Sequence, residues 1–516
     1  MKFFENIFKK QERIEDKLRQ RILDEPSVKR TIDDLITNPE LPELKIYMVG
    51  GIVRDSFLDR PSKDYDFVLG KITQAQLEKA LTKEKGSLDL TGKNFGVNKF
   101  MPADSTLTEA MDFAFPRTEM STGGGGKRDF EVQYDPNLPI ETDLSRRDLT
   151  INAMAFDARE GKLIDPFGGR KDLENKIIRA VGDPNERFKE DYSRILRAIR
   201  VACQLDFRIE PKTWQAIVEN AKHLNDTRTN NEGQTERVVP EDTIRKEMLK
   251  ALETNPSLAF ELFDKAGVFE QIIPEIDKLK GCEQPPEHHY EGDVIEHTKL
   301  MIEKINSPEF KAQFPEAKID GSFIMAVLLH DVGKPATKKE IEKDGKKKIV
   351  FYGHENVGAK MSETILRKLR FSRKQVERVK FLIENHMIAT AGDPATLKAT
   401  TIEKYFMGSR GQRLMMLHYL DALGSLRPDG SPSTDKFKAL IKRMEKIKAT
   451  LAARIDTPVE LLNGGEIMEL FEGKKGGPWI SEIKKRLREE QLSDKISSKE
   501  EAAAFIQAHR KDFLDL

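Results

Sequence analysis

Apolar and polar positions follow two different rhythms along the chain. Over residues 1–40 the apolar positions recur about every 3.6 residues among many charges, which predicts a helical leader. From Leu44 the rhythm changes: Leu44 to Val49 reads as a strand, Gly50-Gly51 as a turn, and the next residues as a short helix. Further strands are expected around Tyr65 to Leu69 and at Met111 to Phe115, with Gly123 to Gly126 as a mobile loop. After Gly169 the strand signals stop. Residues 172–280 read as helical, broken by a polar loop from Asn225 to Gln234. Pro285-Pro286 reads as a linker, 288–425 as helical, and Arg427 to Pro432 as turns before a basic helix and tail. The expected division is a leader (1–40), an α+β head (41–170), an all-α neck (171–285), an all-α domain (286–430) and a helical tail (431–516).

Composition narrows the class. At roughly 150 residues per domain, 516 residues should hold three or four domains. With 38% hydrophobic and 34% charged residues the chain can build cores, so extensive disorder is not expected. No run approaches the ~20 apolar residues of a membrane span, and Lys9 and Lys10 follow the N-terminal apolar patch too closely for a signal peptide. Cys203 and Cys282 are too few for a disulfide framework. A cytoplasmic location with no membrane partner is the expectation. Lys plus Arg and Asp plus Glu both total 87. Zero net charge argues against coating nucleic acid by bulk attraction and leaves only local basic faces.

Two clusters carry chemistry. In the first, Gly50-Gly51-Ile52-Val53-Arg54-Asp55 lies at a strand-to-helix junction, where glycines let backbone N–H groups approach a phosphate. A glycine pair alone is more often structural. Asp64-Tyr65-Asp66 follows, and on a strand residues i and i+2 project from one face, so both carboxylates can grip divalent ions. Asp112 could add a third ligand. Such a set suits two-metal phosphoryl transfer, in which one ion activates the attacking hydroxyl. Taken alone, the two aspartates would read as a solvated strand end.

Here the chain resembles class II tRNA nucleotidyltransferases and bacterial poly(A) polymerases. The resemblance rests on Gly50-Gly51-x-x-Arg54-Asp55, on Asp64-x-Asp66, and on Arg146-Arg147-Asp148-Leu149-Thr150-Ile151-Asn152-Ala153. It continues through Asp165-Pro166-Phe167-Gly168-Gly169 and Glu190-Asp191-x-x-Arg194-x-x-Arg197-x-x-Arg200, covering about 44–250. It implies a polymerase beta-like head in which Asp64, Asp66 and Asp112 are catalytic, the first two holding Mg2+. Some relatives have Glu at the third position. It also implies that Gly50, Gly51, Arg54, Arg147, Asp148, Asn152, Asp191, Arg194, Arg197 and Arg200 bind nucleotide. Base choice has a physical logic. Asp191 and Arg194, three apart, would share one helix face. Cytosine and adenine both offer an amine beside a bare ring nitrogen, so the carboxylate accepts from one and the guanidinium donates to the other. Uracil and guanine present the reverse order, which admits CTP and ATP and rejects UTP and GTP.

The second cluster is His297, His330-Asp331, His354, His386 and Asp421, in the order H…HD…H…H…D. A lone histidine on an apolar face is usually a core residue; this series resembles the HD superfamily of metal-dependent phosphohydrolases. Imidazole and carboxylate ligands suit transition metals such as Ni2+ or Mn2+, or Mg2+, and Lys334 could neutralise substrate phosphate. HD-fused CCA-adding enzymes unite both resemblances. Lys436, Lys438, Lys442, Arg443, Lys446 and Lys448 crowd one helix, which is either a solvated face or an RNA contact. Trp479 is either part of a tRNA-binding tail or a core anchor.

The expectation is a mostly helical multidomain nucleotidyltransferase with an α+β head, an all-α neck, an HD domain and a helical tail. It would add CCA to tRNA from CTP and ATP, with no DNA partner. A poly(A) polymerase, a CC-adding or A-adding enzyme, an RNA-binding protein with an inactive head, and a chain whose main activity is the HD site stay open.

Overall fold

The structure is a computed structural model. It describes residues 14–514 apart from 23, 63, 84–85, 91–95, 127–128, 230–231, 344, 409, 453–459 and 472–474. The first part of the expected leader, 1–13, lies outside the described residues. The remainder is helical over 14–22 and Pro26–Thr37, burying Val28, Ile32 and Leu35 on one face.

The chain divides into two compact units, Met1–Ile272 and Ile273–Leu516. The core of the first is a sheet whose strands, in chain order, are β1 (Lys45–Val49), β2 (Asp66–Gly70), β3 (Gly86–Asp89), β4 (Val97–Pro102), β5 (Met111–Ala114), β8 (Ala155–Asp157) and β9 (Lys162–Ile164). Their spatial order is β3-β4-β5-β2-β1-β8-β9. β2 and β5 run parallel; the other neighbours are antiparallel. β6 (Arg117–Ser121) and β7 (Phe130–Tyr134) form a separate hairpin whose connection contains Gly123 to Gly126. The short helix α1 (Gly51–Phe57) follows β1 and buries Ile52 and Val53. Buried Phe67 and Phe113 stack at 5.5 Å between neighbouring strands, an aromatic pair that locks β2 to β5.

The neck places α2 (Pro184–Glu190) and α3 (Ser193–Leu205) end to end, and α4 (Glu241–Thr254) packs along α3. The neck is not purely helical. Ile177–Ile178 pairs with Arg208–Ile209, and the stretch read as a polar loop holds the first strand of a hairpin, Thr227–Thr229, whose partner Thr235–Arg237 follows it.

The second unit is built on α5 (Val294–Lys304), α6 (Gly321–Leu329), α7 (His354–Lys368), α8 (Arg373–Asn385) and α9 (Gly411–Gly424). Every residue of α6 is buried, so it is the central helix, packed by α5, α8 and α9. Asp320 starts it by accepting from Phe323 N at 2.9 Å while pairing with Arg413 of α9 at 2.6 Å. A hairpin, Lys339–Lys343 with Lys346–Val350, interrupts a region read as wholly helical. Residues 461–513 form their own small core, where buried Trp479 meets Phe471 edge-on at 5.1 Å. Trp479 is thus a core anchor. Among the described residues no helix is long and apolar enough to cross a membrane.

Candidate functional site

In the first unit the turn after β1 needs glycine. Gly50 has φ +76° and ψ −136°, a region nearly closed to other residues. A Cβ there would stand 3.3 Å from Arg147 Nη1 and 3.5 Å from Asp66 Oδ2. The turn, the arginine and the carboxylate therefore converge. Asp66 opens β2, and the parallel register sets it directly opposite Asp112 on β5. Asp64 lies just before the strand and is exposed, close enough to Asp66 to act on it electrostatically. Burial and the neighbouring Asp112 charge push the Asp66 carboxyl up to about 6. Lys99, opposite Asp112 in β4, pairs with it at 2.7 Å. Crowded carboxylates with a destabilised charge are a donor set that fits a divalent cation.

Arg147 is aimed by Asp143, fully buried and 3.1 Å from Arg147 and 2.6 Å from Arg146. Arg54 Nη1 donates to Asn152 Oδ1 at 2.9 Å, joining the glycine-turn motif to the Arg146–Ala153 motif. Asp148 accepts from Leu149 N at 2.8 Å and pairs with Arg197 of α3 at 2.8 Å, which ties this motif to the neck. Arg200 pairs with Glu247 of α4, and Arg194 with Glu190, each at 2.5 Å.

The expected shared helix face for Asp191 and Arg194 is corrected. Asp191 is extended, with φ −154° and ψ 102°, in the break between α2 and α3, while Arg194 is in the first turn of α3. The cause is local: Asp191 Oδ1 accepts from Ser193 N at 2.9 Å, and an Asp bonded to the backbone two residues on favours a turn over a helix. The two remain neighbours, since Arg194 N donates to Asp191 O at 3.0 Å. Glu190, quoted in the motif but given no role from sequence, fixes the Arg194 guanidinium together with the Arg187 and Arg146 carbonyls.

In the second unit all six expected HD residues gather. His297 comes from α5, His330-Asp331 from the end of α6, His354 from the start of α7, His386 from the end of α8 and Asp421 from α9. All the histidines are buried. Three orient themselves alike: Nδ1 of His330, His354 and His386 donates to the carbonyl three residues earlier, at 2.8, 2.9 and 2.6 Å. That bond turns Nε2 toward the centre of the cluster, where it is bare whenever the ring is neutral. His354 Nε2 and His386 Nε2 stand 3.2 Å apart, so with both rings neutral in that tautomer their lone pairs would turn toward one point. Such a pair fits a cation. Ligand atoms of His297, His330 and Asp331 lie within 4.8 Å of one another, as do those of Asp331, His354 and His386, so Asp331 is common to two triads. Buried His330 Nε2 and Asp331 Oδ1 make no well-directed hydrogen bond, which is again how ligands to an ion stand.

The electrostatics agree. Burial opposes ionisation of Asp331, but His330 and Lys334 outweigh it and hold its carboxyl well below the usual range. Lys334 Nζ is 2.7 Å from Asp331 Oδ2. Burial, reinforced by His330, lowers His386 to about 3. For His297 burial is overcome by Asp421, 3.2 Å from Nε2, and by Glu291, so its pKa rises to about 9. A metal arriving there would have to displace that proton. The cluster opens on a cavity of about 560 Å3 lined by Asp331, His354, His386 and Asp421 at one end and Phe351, Tyr352 and Phe437 elsewhere. His289, Glu291 and His418 were not selected from sequence. His289 and His418 line the cavity, and Glu291 contacts His289 and His297.

Two family models match the parts of the chain that carry most of each cluster. Residues 46–179 match the poly A polymerase head domain and residues 316–422 the HD domain. The fold and sites thus define a nucleotidyltransferase that carries an HD domain. Among similar chains, the multifunctional CCA protein of Alkalilimnicola ehrlichii is 30% identical over 423 residues, 80% of this chain and 91% of that one. The multifunctional CCA protein of Herminiimonas arsenicoxydans is 30% identical over 434 residues, 83% and 92% of the two chains. At that identity and coverage the chain belongs to the multifunctional CCA protein family. The fold also resembles a Thermotoga maritima CCA-adding enzyme solved with tRNA, at TM-score 0.61 and 21% identity over 96% of this chain and 98% of that one. A Bacillus stearothermophilus CCA-adding enzyme solved with CTP gives 0.59 and 20% over 95% and 99%.

Proposed function

We propose that the protein adds CCA to the 3′ end of tRNA from CTP and ATP, in the cytoplasm, without a nucleic-acid template. The observation that supports this most is the Asp66–Asp112 register beside Gly50 and Arg147. Asp64 and Asp66, with Asp112, would hold Mg2+, which supplies activation of the attacking 3′ hydroxyl and charge neutralisation in transfer. Around it the chain's own residues bind and orient. Gly50 leaves room for a triphosphate, and Arg147, steadied by Asp143, neutralises it. Asp148 and Arg197 hold the head motif to the neck helix that carries Arg194. Asp191 accepts from the amine of cytosine or adenine and Arg194 donates to the ring nitrogen, so the pair selects both bases and rejects uracil and guanine. On helix Asp435–Ala452, Lys438, Lys442 and Lys446 are exposed while Phe437, Leu440 and Met444 are buried, a face suited to RNA phosphates. A tRNA lacking its last three nucleotides should be completed by the wild type with CTP and ATP, and left unextended by Asp64→Ala or Asp66→Ala.

A second activity, metal-dependent phosphohydrolysis in the HD domain, is supported by the facing Nε2 atoms of His354 and His386. His297, His330, Asp331, His354, His386 and Asp421 would hold Ni2+, Mn2+ or Mg2+, which supplies an activated water. Asp331→Ala should strip a bound metal and abolish hydrolysis of phosphomonoesters or 2′,3′-cyclic phosphates while CCA addition persists. A wild type that binds no metal and hydrolyses nothing would make this domain structural.

A further inference from the structure

His297 differs from the other three HD histidines in what fixes its ring. Their Nδ1 atoms donate to the backbone carbonyl three residues earlier; His297 Nδ1 lies 2.9 Å from Glu291 Oε1, a side chain from the segment before α5. The same Oε1 is 2.7 Å from His289 Nδ1, and Oε2 accepts from Leu426 N at 2.7 Å. Glu291 has only 3% of its side chain exposed. Leu426 stands just beyond α9, the helix that carries Asp421. One buried carboxylate therefore receives three N–H groups and joins the start of α5 to the end of α9.

We infer that Glu291 is a positioning residue of the HD metal site: it fixes His297 with Nδ1 protonated and Nε2 facing the ion, and it holds the helix of Asp421 in register. The inference rests on the reading of this cluster as a metal site. A carboxylate behind a histidine ligand sets both the tautomer and the ring orientation, and its loss commonly weakens metal binding 10- to 100-fold. His289, Glu291 and His297 also lie close enough to be taken for a metal triad themselves. The hydrogen bonds argue otherwise, because Oε1 is already shared by two imidazole N–H groups and Oε2 by a peptide.

Glu291→Gln keeps the volume but offers one acceptor and one donor to three incoming donors. Either the amide NH2 faces Leu426 N, or His297 must adopt the other tautomer, which puts a proton on Nε2 where a ligand lone pair is required. The test is Mn2+ titration of the full chain by calorimetry, for the wild type, Asp331→Ala, Glu291→Gln and Glu291→Asp. The Asp331→Ala variant identifies which binding belongs to the HD site. Glu291→Gln should weaken that binding 10- to 100-fold at unchanged equivalents of Mn2+, in a chain that still unfolds cooperatively well above the titration temperature, with Glu291→Asp partly restoring affinity. Wild-type affinity in Glu291→Gln would overturn the positioning role while leaving the metal site standing. A loss of equivalents at saturation would make Glu291 a ligand and overturn it too. If Asp331→Ala binds Mn2+ like the wild type, the HD cluster is no metal site, and the reading and the inference fall together.

Discussion

Asp66 and Asp112 stand directly opposite each other on parallel neighbours β2 and β5, with Lys99 completing the row from β4. The sheet thus delivers two carboxylates to one spot, at the end of β1 where Gly50 turns the chain. Replacing Asp66 or Asp112 by Asn should remove several kcal/mol of transition-state stabilisation, roughly a thousandfold in the rate of nucleotide addition. Melting temperature should not fall, since the amide opens no cavity and relieves the crowding of the two carboxylates. Single-turnover rates with thermal unfolding check this for each variant.

Gly50→Ala is expected to damage nucleotide binding as well as the fold. The backbone conformation disfavours a side chain by about 1–3 kcal/mol, and the new Cβ would crowd Arg147. The KM for CTP and ATP should rise together, about 10-fold or more. Steady-state kinetics with both triphosphates would show it.

Asp143 gives a pH signature. Burial favours its neutral form, but Arg147 and Arg146 prevail and lower its pKa. A carboxylate with a lowered folded pKa contributes stability that is present above the unfolded value, near 4, and is lost as pH falls. Asp143→Asn should cost on the order of 3 kcal/mol at neutral pH. Its deficit relative to the wild type should shrink below about pH 4. Denaturant unfolding of both proteins across pH measures this directly.

The template pair should affect choice of base before chemistry. Asp191→Ala is expected to relax rejection of UTP and GTP, and Arg194→Ala to weaken CTP and ATP alike. Because Glu190 holds Arg194, Glu190→Ala should produce a milder form of the Arg194→Ala defect, about 10-fold. Incorporation of the four triphosphates by each variant is the measurement.

What was legible in the sequence was local and chemically distinctive. Gly50-Gly51 with Asp64-x-Asp66 and the Arg147 motif pointed to the convergence found at the end of β1, and the HD series to the gathering of buried imidazoles and carboxylates in a helical domain. The pairing of Asp66 with Asp112 was not legible, since a parallel register between strands so distant in sequence depends on the whole sheet. The hairpin Lys339–Lys343 with Lys346–Val350 escaped because Lys-Glu-Ile-Glu-Lys shows little strand alternation. Asp191 was misplaced onto a helix because its side chain competes for Ser193 N, a local bond that periodicity ignores. Glu291 escaped because glutamate is common, and its role depends on Leu426 arriving from another helix.

The most direct test of CCA addition uses tRNA ending before its last three nucleotides, with CTP alone, ATP alone, or both. Two additions are expected with CTP alone, none with ATP alone, and three with both, ending in A. A long run of A from ATP alone would identify a poly(A) polymerase. A product that stops after two cytidines with both triphosphates present would also contradict the account.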